Sequence, residues 1–212
     1  MTPPEADVAR LARSVGADPL AASLRNRAPL PPFVCMQPGT PVNWQTTVHL
    51  AWDERFLHVE ALCEDDDAWG RYRRHDDPVW EEEAFEIFLG EDRDPLTSYC
   101  EIDVSPLGTI FDARVRNPHG DRREMEVETT WNCPGLCCRV ERSTERQNWQ
   151  ARFALPWTSI GFAARPRTLR ANFYRIERPR DRVVEFSGWS ATLTDPADFH
   201  RPARFGLLRL IE

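Results

Sequence analysis

The 212-residue chain contains no lysine, so all 27 of its basic side chains are arginine. Without an ε-ammonium group, Schiff-base chemistry and the P-loop's phosphate-binding lysine are both excluded. Long apolar runs are missing too. No segment approaches the ~20 apolar residues a membrane helix needs, and residues 1–20 hold no stretch resembling a signal-peptide core. These absences lead to the expectation of a cytoplasmic protein with no membrane partner, whose six cysteines stay reduced. Positive charge is in deficit. A formal net charge of -7 repels phosphate backbones and argues against a nucleic-acid partner. No G-x-G-x-x-G motif, βαβ rhythm, internal repeat or low-complexity tract is present, and no C-x-x-C-H haem-attachment motif, so no organic cofactor is expected.

The composition that remains is globular, 41% hydrophobic and 29% charged, with eight Trp and eleven Phe against three Tyr. This length supports one domain with a sizeable core. Residues 6–23 read as a short helix, followed by the proline-rich APLPPF at 28–33 and PGTP at 38–41, so residues 1–41 form an arm packed on a domain at 42–212. From residue 46 the pattern changes to period two, which sends alternate side chains to opposite faces of a strand. Val48, Leu50 and Trp52 alternate, then Leu57, Val59, Ala61 and Cys63, with a turn at Asp53-Glu54. Further strands are expected at 84–89, 98–104, 109–115, 136–141, 149–155, 169–177, 183–189 and 205–211. Such a series signals an all-β protein, an antiparallel β-sandwich. Only residues 156–161 look helical in this region, with proline suiting the first turn and glycine the stop. Trp52, Trp149, Trp157 and Trp189 follow the pattern of packing residues.

Alternation also sorts the polar groups. Phe85, Ile87 and Leu89 take one face of their strand while Glu86 and Phe88 take the other, and Tyr99, Glu101 and Asp103 oppose Cys100, Ile102 and Val104. If the two strands are neighbours, these acids share a surface, which Arg114, Asn172 and Tyr174 can complete as a polar concavity. A solvated outer sheet face is the plainer reading of the same pattern. Trp80, between Pro78 and three glutamates, sits in loop-like surroundings where a large exposed aromatic calls for an explanation. Glu86 paired with Glu101 or Asp103 can also meet the roughly 5–9 Å carboxyl separation of a glycosidase.

The acidic stretches offer oxygen ligands suited to calcium, namely Asp65, Asp66, Asp67, Asp76 and Asp77, with a hydrated charged rim as the alternative. Cys133, Cys137 and Cys138, spaced C-x3-C-C, can bring thiolates near one metal, but the second pair usual in zinc sites is missing. Cys63 and Cys100 read as small buried hydrophobes. Arg175, Arg178 and Arg180, around Glu177, read as a solvated strand end.

Four segments together carry a family likeness. They are VHLAWDERFLHV at 48–59 leading into CEDDD at 63–67; DPVWEEEAFEIFL at 77–89; YCEIDVSPLG at 99–108 followed by Phe111-Asp112; and FHRPARFGLLRL at 199–210. In combination they resemble the family 9 carbohydrate-binding modules, jelly-roll-like sandwiches of the wider DOMON-like group of sugar- and haem-binding domains. The resemblance implies noncatalytic binding of an oligosaccharide or glycan end, clamped between two aromatic rings and hydrogen-bonded by polar side chains. Trp80 and Phe199 match the rings, Glu86 matches an acid that accepts hydroxyl protons, and His200 lies beside Phe199. Structural calcium is implied as well. The chain departs from the sugar-binding modules in carrying Glu101 and Asp103 where they have Arg and Asn, and Phe199 where they have a larger Trp. A hydrolase using paired carboxylates and a protein-interaction domain that has lost sugar affinity remain the alternatives.

Overall fold

The computed structural model describes residues 2–12, 16–37 and 39–212. Its strands run β1 (Glu5–Ala9), β2 (Val34–Cys35), β3 (Thr46–Trp52), β4 (Phe56–Glu64), β5 (Ala84–Glu91), β6 (Ser98–Val104), β7 (Ile110–Arg116), β8 (Glu126–Glu128), β9 (Cys137–Ser143), β10 (Asn148–Pro156), β11 (Thr168–Glu177), β12 (Glu185–Gly188) and β13 (Gly206–Ile211). Every stretch with period-two alternation is a strand. β3 and β4 form the expected hairpin, and Asp53 builds its turn by accepting the Arg55 and Phe56 N–H groups at 2.8 and 2.9 Å.

Two sheets face each other. The smaller has the order β3-β4-β10-β9 and the larger β1-β13-β11-β5-β6-β7-β8. β11 is ten residues long, so one of its flanks pairs β13 near its start and β12 near its end, while β5 takes the other flank. β2 pairs the free side of β12. The core fills the space between the sheets, from Leu50, Trp52, Val59, Trp149 and Phe153 on one side to Phe85, Ile87, Ile102 and Phe173 on the other. All four tryptophans assigned to packing are buried, and the Trp52 indole N–H bonds the carbonyls of Val8 and Ile211 at 3.0 and 2.9 Å.

The expected helix at 6–23 is corrected. Residues 5–9 are β1, parallel to β13, and the described part of the remainder is turn and loop. Pro19 interrupts any helix, and the unpaired edge of β13 offers a backbone ladder that outweighs the weak local helix preference. Residues 13–15 of that expectation, and Pro38 of PGTP, lie outside the described residues. At 156–161 there is a single turn, closed by the Ile160 N–H on the Pro156 carbonyl at 3.2 Å, rather than a helix. Pro156 still belongs to β10, and Gly161 leaves the turn with φ at 97°.

The larger sheet's outer face is not solvated. Phe88, Tyr99, Val115 and Tyr174 form a second apolar cluster there with Met36, Phe199 and Phe205. The connection between β12 and β13 covers it. Asn172 anchors that connection, donating to the Ser190 carbonyl at 2.9 Å and accepting the Ser190 N–H at 3.0 Å.

Candidate functional site

The cover stops short of one end of the face, leaving a cleft of about 490 Å³ whose lining includes Trp80, Glu86, Glu101, Phe111, Phe199 and His200. The β5–β6 register sets Glu86 opposite Asp103 and Phe88 opposite Glu101, so the three acids fall on one face. A carboxylate oxygen from each lies within 4.8 Å of the others. Asp103 is 0% exposed, and neither of its oxygens has a hydrogen-bond partner.

Burial dominates the chemistry of this floor. It lifts Glu101 to about 8, against a small opposing pull from Arg122. Glu86 is held well above the carboxylate range by burial and then by the charge of Glu101, and Asp103 by burial and then by Glu86, Glu101 and Asp112. At neutral pH these acids retain protons, so they donate hydrogen bonds as well as accept them.

Trp80 stands on the single 3₁₀ turn Val79–Glu81. It is 39% exposed and rests edge-on against Phe111, the ring centroids 4.6 Å apart. Of the three glutamates beside it, only Glu81 is exposed to solvent. Glu82 and Glu83 are fully buried: Glu82 binds the Arg71 N–H and guanidinium at 2.6 and 2.7 Å, and Glu83 accepts the Trp69 N–H at 3.1 Å. These bonds make the Trp80 platform a held element.

Phe199 lies on the opposite side of chemistry from Trp80: it is buried, and Tyr174 stacks on one of its faces at 4.1 Å and 5°. The Tyr174 hydroxyl donates to the Phe199 carbonyl at 2.9 Å. His200 pairs through Nδ1 with the Tyr99 hydroxyl at 2.8 Å, with Nε2 at 3.9 Å from Glu101. Burial lowers His200 to about 4, which leaves it neutral.

Trp80, Glu86, Glu101, Phe199 and His200 therefore meet in one cleft, with Asp103 directly beneath. Three expected members do not line it. Arg114 pairs with Cys100 across β6–β7 and so points to the opposite face, its guanidinium 5.0 Å over the Trp131 ring. Asn172 and Tyr174 do share the acids' face, but they are buried under the cover they hold in place. Phe111, Arg122, Phe186 and Arg178 line the cleft without having been assigned to it. Phe111 was legible as the β7 partner of Asp103. Arg122 lies in an aperiodic loop with no signal of its own.

The five aspartates expected around calcium do not converge. Asp65 and Glu177 bind the buried guanidinium of Arg175, a cation already supplied by the chain. Asp66 pairs with Arg182 at 2.7 Å, Asp67 pairs with Arg180, and Asp77 accepts the Arg73 and Arg74 N–H groups at 3.0 and 2.8 Å. Asp76 instead joins His75 and Asp112, their candidate ligand atoms within 4.8 Å of one another. The Arg175–Glu177 strand end is thus a buried ion network, not a solvated one. The cysteine run does not gather its thiols either: Cys138 packs on the main core, Cys137 on the other side of β9 with Phe56 and Ala154.

The family model for carbohydrate-binding family 9 matches residues 38–210. A candidate carbohydrate-binding protein from Bacteroides uniformis shares the fold with a TM-score of 0.78 at 15% identity, covering 98% of this chain and 99% of its own. A family 9 carbohydrate binding module from Caldicellulosiruptor kristjanssonii, solved with cellotriose, gives 0.66 at 12% identity, covering 97% and 93%. A family 9 module from the same organism, solved with glucose, gives 0.65 at 13%, covering 98% and 95%. No curated protein matches. With the family model spanning nearly all of the sandwich and the same architecture in these solved structures, the chain belongs to carbohydrate-binding family 9.

Proposed function

We propose that this domain binds a saccharide end noncatalytically in the cleft between Trp80 and the Phe199 side, with Glu86, Glu101 and His200 hydrogen-bonding its hydroxyls. The observation that carries the reading is the convergence of an exposed, anchored tryptophan with buried acids in one concavity of a family 9 sandwich. A pyranose presents C–H groups to a flat π surface, and hydroxyl recognition needs groups that both donate and accept. Relatives solved with cellotriose and glucose support the ligand class.

Catalysis by the same acids is disfavoured physically. Their oxygens lie within 4.8 Å, side by side on adjacent strands, rather than facing each other across the roughly 5–9 Å a glycosidic bond requires. All three are shifted upward, so no acid and base are pushed apart. For calcium, the proposal narrows to Asp76 with Asp112, because Asp65, Asp66 and Asp67 already hold arginines. A calcium-dependent rise in melting temperature that is lost in Asp76→Asn supports that assignment.

Calorimetric titration with cello-, xylo- and other oligosaccharides, repeated on Trp80→Ala, tests the binding reading. Saturable binding that disappears in a folded Trp80→Ala variant supports it. No heat from any saccharide overturns it in favour of an interaction domain.

A further inference from the structure

We infer that the cleft selects saccharides carrying a protonated amine, with the ammonium group of an amino sugar seated on Glu86 and Glu101 above Asp103. The inference rests on the saccharide reading of the same cleft and narrows its ligand class.

Three carboxyl groups are concentrated on the floor, and the deepest, Asp103, is sealed from water with both oxygens unpartnered. Unpartnered buried acids are costly, and proteins normally pair them with a cation or a donor. The surrounding charged groups do not meet that need. Arg122, whose field reaches Glu86 and Glu101, is bonded to Asp198 at 2.6 Å. His200 is neutral, Asp112 adds further negative field to Asp103 from β7, and Arg178, which lines the cleft with its Nε unpartnered, makes no ion pair with any of the three acids among the described contacts.

An ammonium group carries three donors and one positive charge, so it bonds Glu86 and Glu101 directly while its charge acts on Asp103 beneath them. The walls suit the same ligand. Trp80 and Phe111 line the cleft, and aromatic rings attract cations, especially in a desolvated setting. A bare divalent ion fits less well, since calcium takes roughly 6–8 oxygen ligands and aromatic walls provide none. A neutral sugar hydroxyl leaves the charge of the floor unbalanced once its protons are lost. An amine instead displaces protons from acids that otherwise retain them at neutral pH.

The test is calorimetry near pH 7 with three ligands of equal length: a β-1,4-linked glucosamine oligomer, its fully N-acetylated counterpart and the corresponding cello-oligomer. The expected result is at least roughly tenfold tighter binding of the free amine, with protons released to the buffer, read from the dependence of the heat on buffer ionisation enthalpy. Asp103→Asn and Glu101→Gln should collapse the ratio of affinities toward one. Equal affinity for all three ligands overturns the inference and leaves the saccharide reading standing, whereas binding of none removes both. Saturable binding of calcium chloride alone, lost in Asp103→Asn, assigns the acids to a metal and also overturns it.

Discussion

Glu101 keeps its proton to about pH 8 in the folded protein, against an ordinary value of 4.5, chiefly because burial strips water from its carboxylate. In the unfolded chain that proton is gone by neutral pH, so folding takes a proton up. The stability linked to it is complete below the unfolded value and is lost as pH rises through the folded one. Each pH unit in that window corresponds to about 1.4 kcal/mol, so between about pH 6.5 and 8 Glu101 alone removes about 2 kcal/mol. Asp103, raised by burial and its acidic neighbours, acts in the same direction. Glu177 at about 7 and Glu83 at about 9 add to the fall. His200, lowered to about 4, acts oppositely but only as pH drops below its unfolded value, outside this range. For a chain of this size, about 2 kcal/mol shifts the melting temperature by roughly 4–8 °C. The assay is thermal unfolding of the wild type and Asp103→Asn from about pH 6.5 to about pH 9. The wild type should melt progressively lower as pH rises, and Asp103→Asn, which removes one buried titration at constant shape, should gain on it by up to about 1.4 kcal/mol per unit. A wild-type melting temperature that stays flat or climbs, or a variant that runs parallel to it, refutes the reasoning.

Other perturbations test other parts of the structure. Arg175→Met leaves Asp65 and Glu177 buried without their cation and should cost about 3–5 kcal/mol in urea unfolding, with less loss at acidic pH where Glu177 is protonated. Asn172→Ala removes the bonds that hold Ser190 and should cost about 1–3 kcal/mol, with faster amide exchange in the covering connection. Gly206→Ala places a Cβ 2.4 Å from the Trp189 ring and 2.7 Å from the Pro4 carbonyl, and should destabilise by roughly 1–3 kcal/mol in the same assay.

Period-two alternation made most of the sandwich legible, because each strand must bury one face and the burial writes itself into sequence. β6 falls on the expected residues, and the Asp53 turn between β3 and β4 was visible from its acidic pair. Alternation also placed Glu86, Glu101 and Asp103 on one face, whereas Trp80 stood out by its loop-like setting between Pro78 and three glutamates. The same signal fails for very short pieces. β2 and β8 have two and three residues, too few to show a period, and β1 pairs with a strand about 200 positions away.

Sequence alone therefore determined the fold class, the inward-facing core and the set of acids that share a surface, since these depend on local periodicity. Tertiary structure decided what that surface became. The connection after β12 folds over part of it and takes Tyr174 and Asn172 out of reach, while burial raises the acids at its uncovered end. It also turned Arg175 from an apparent surface charge into the buried partner of Asp65 and Glu177. The physical reason is that desolvation and charge pairing depend on segments distant in the chain, and no local pattern encodes which of them will meet.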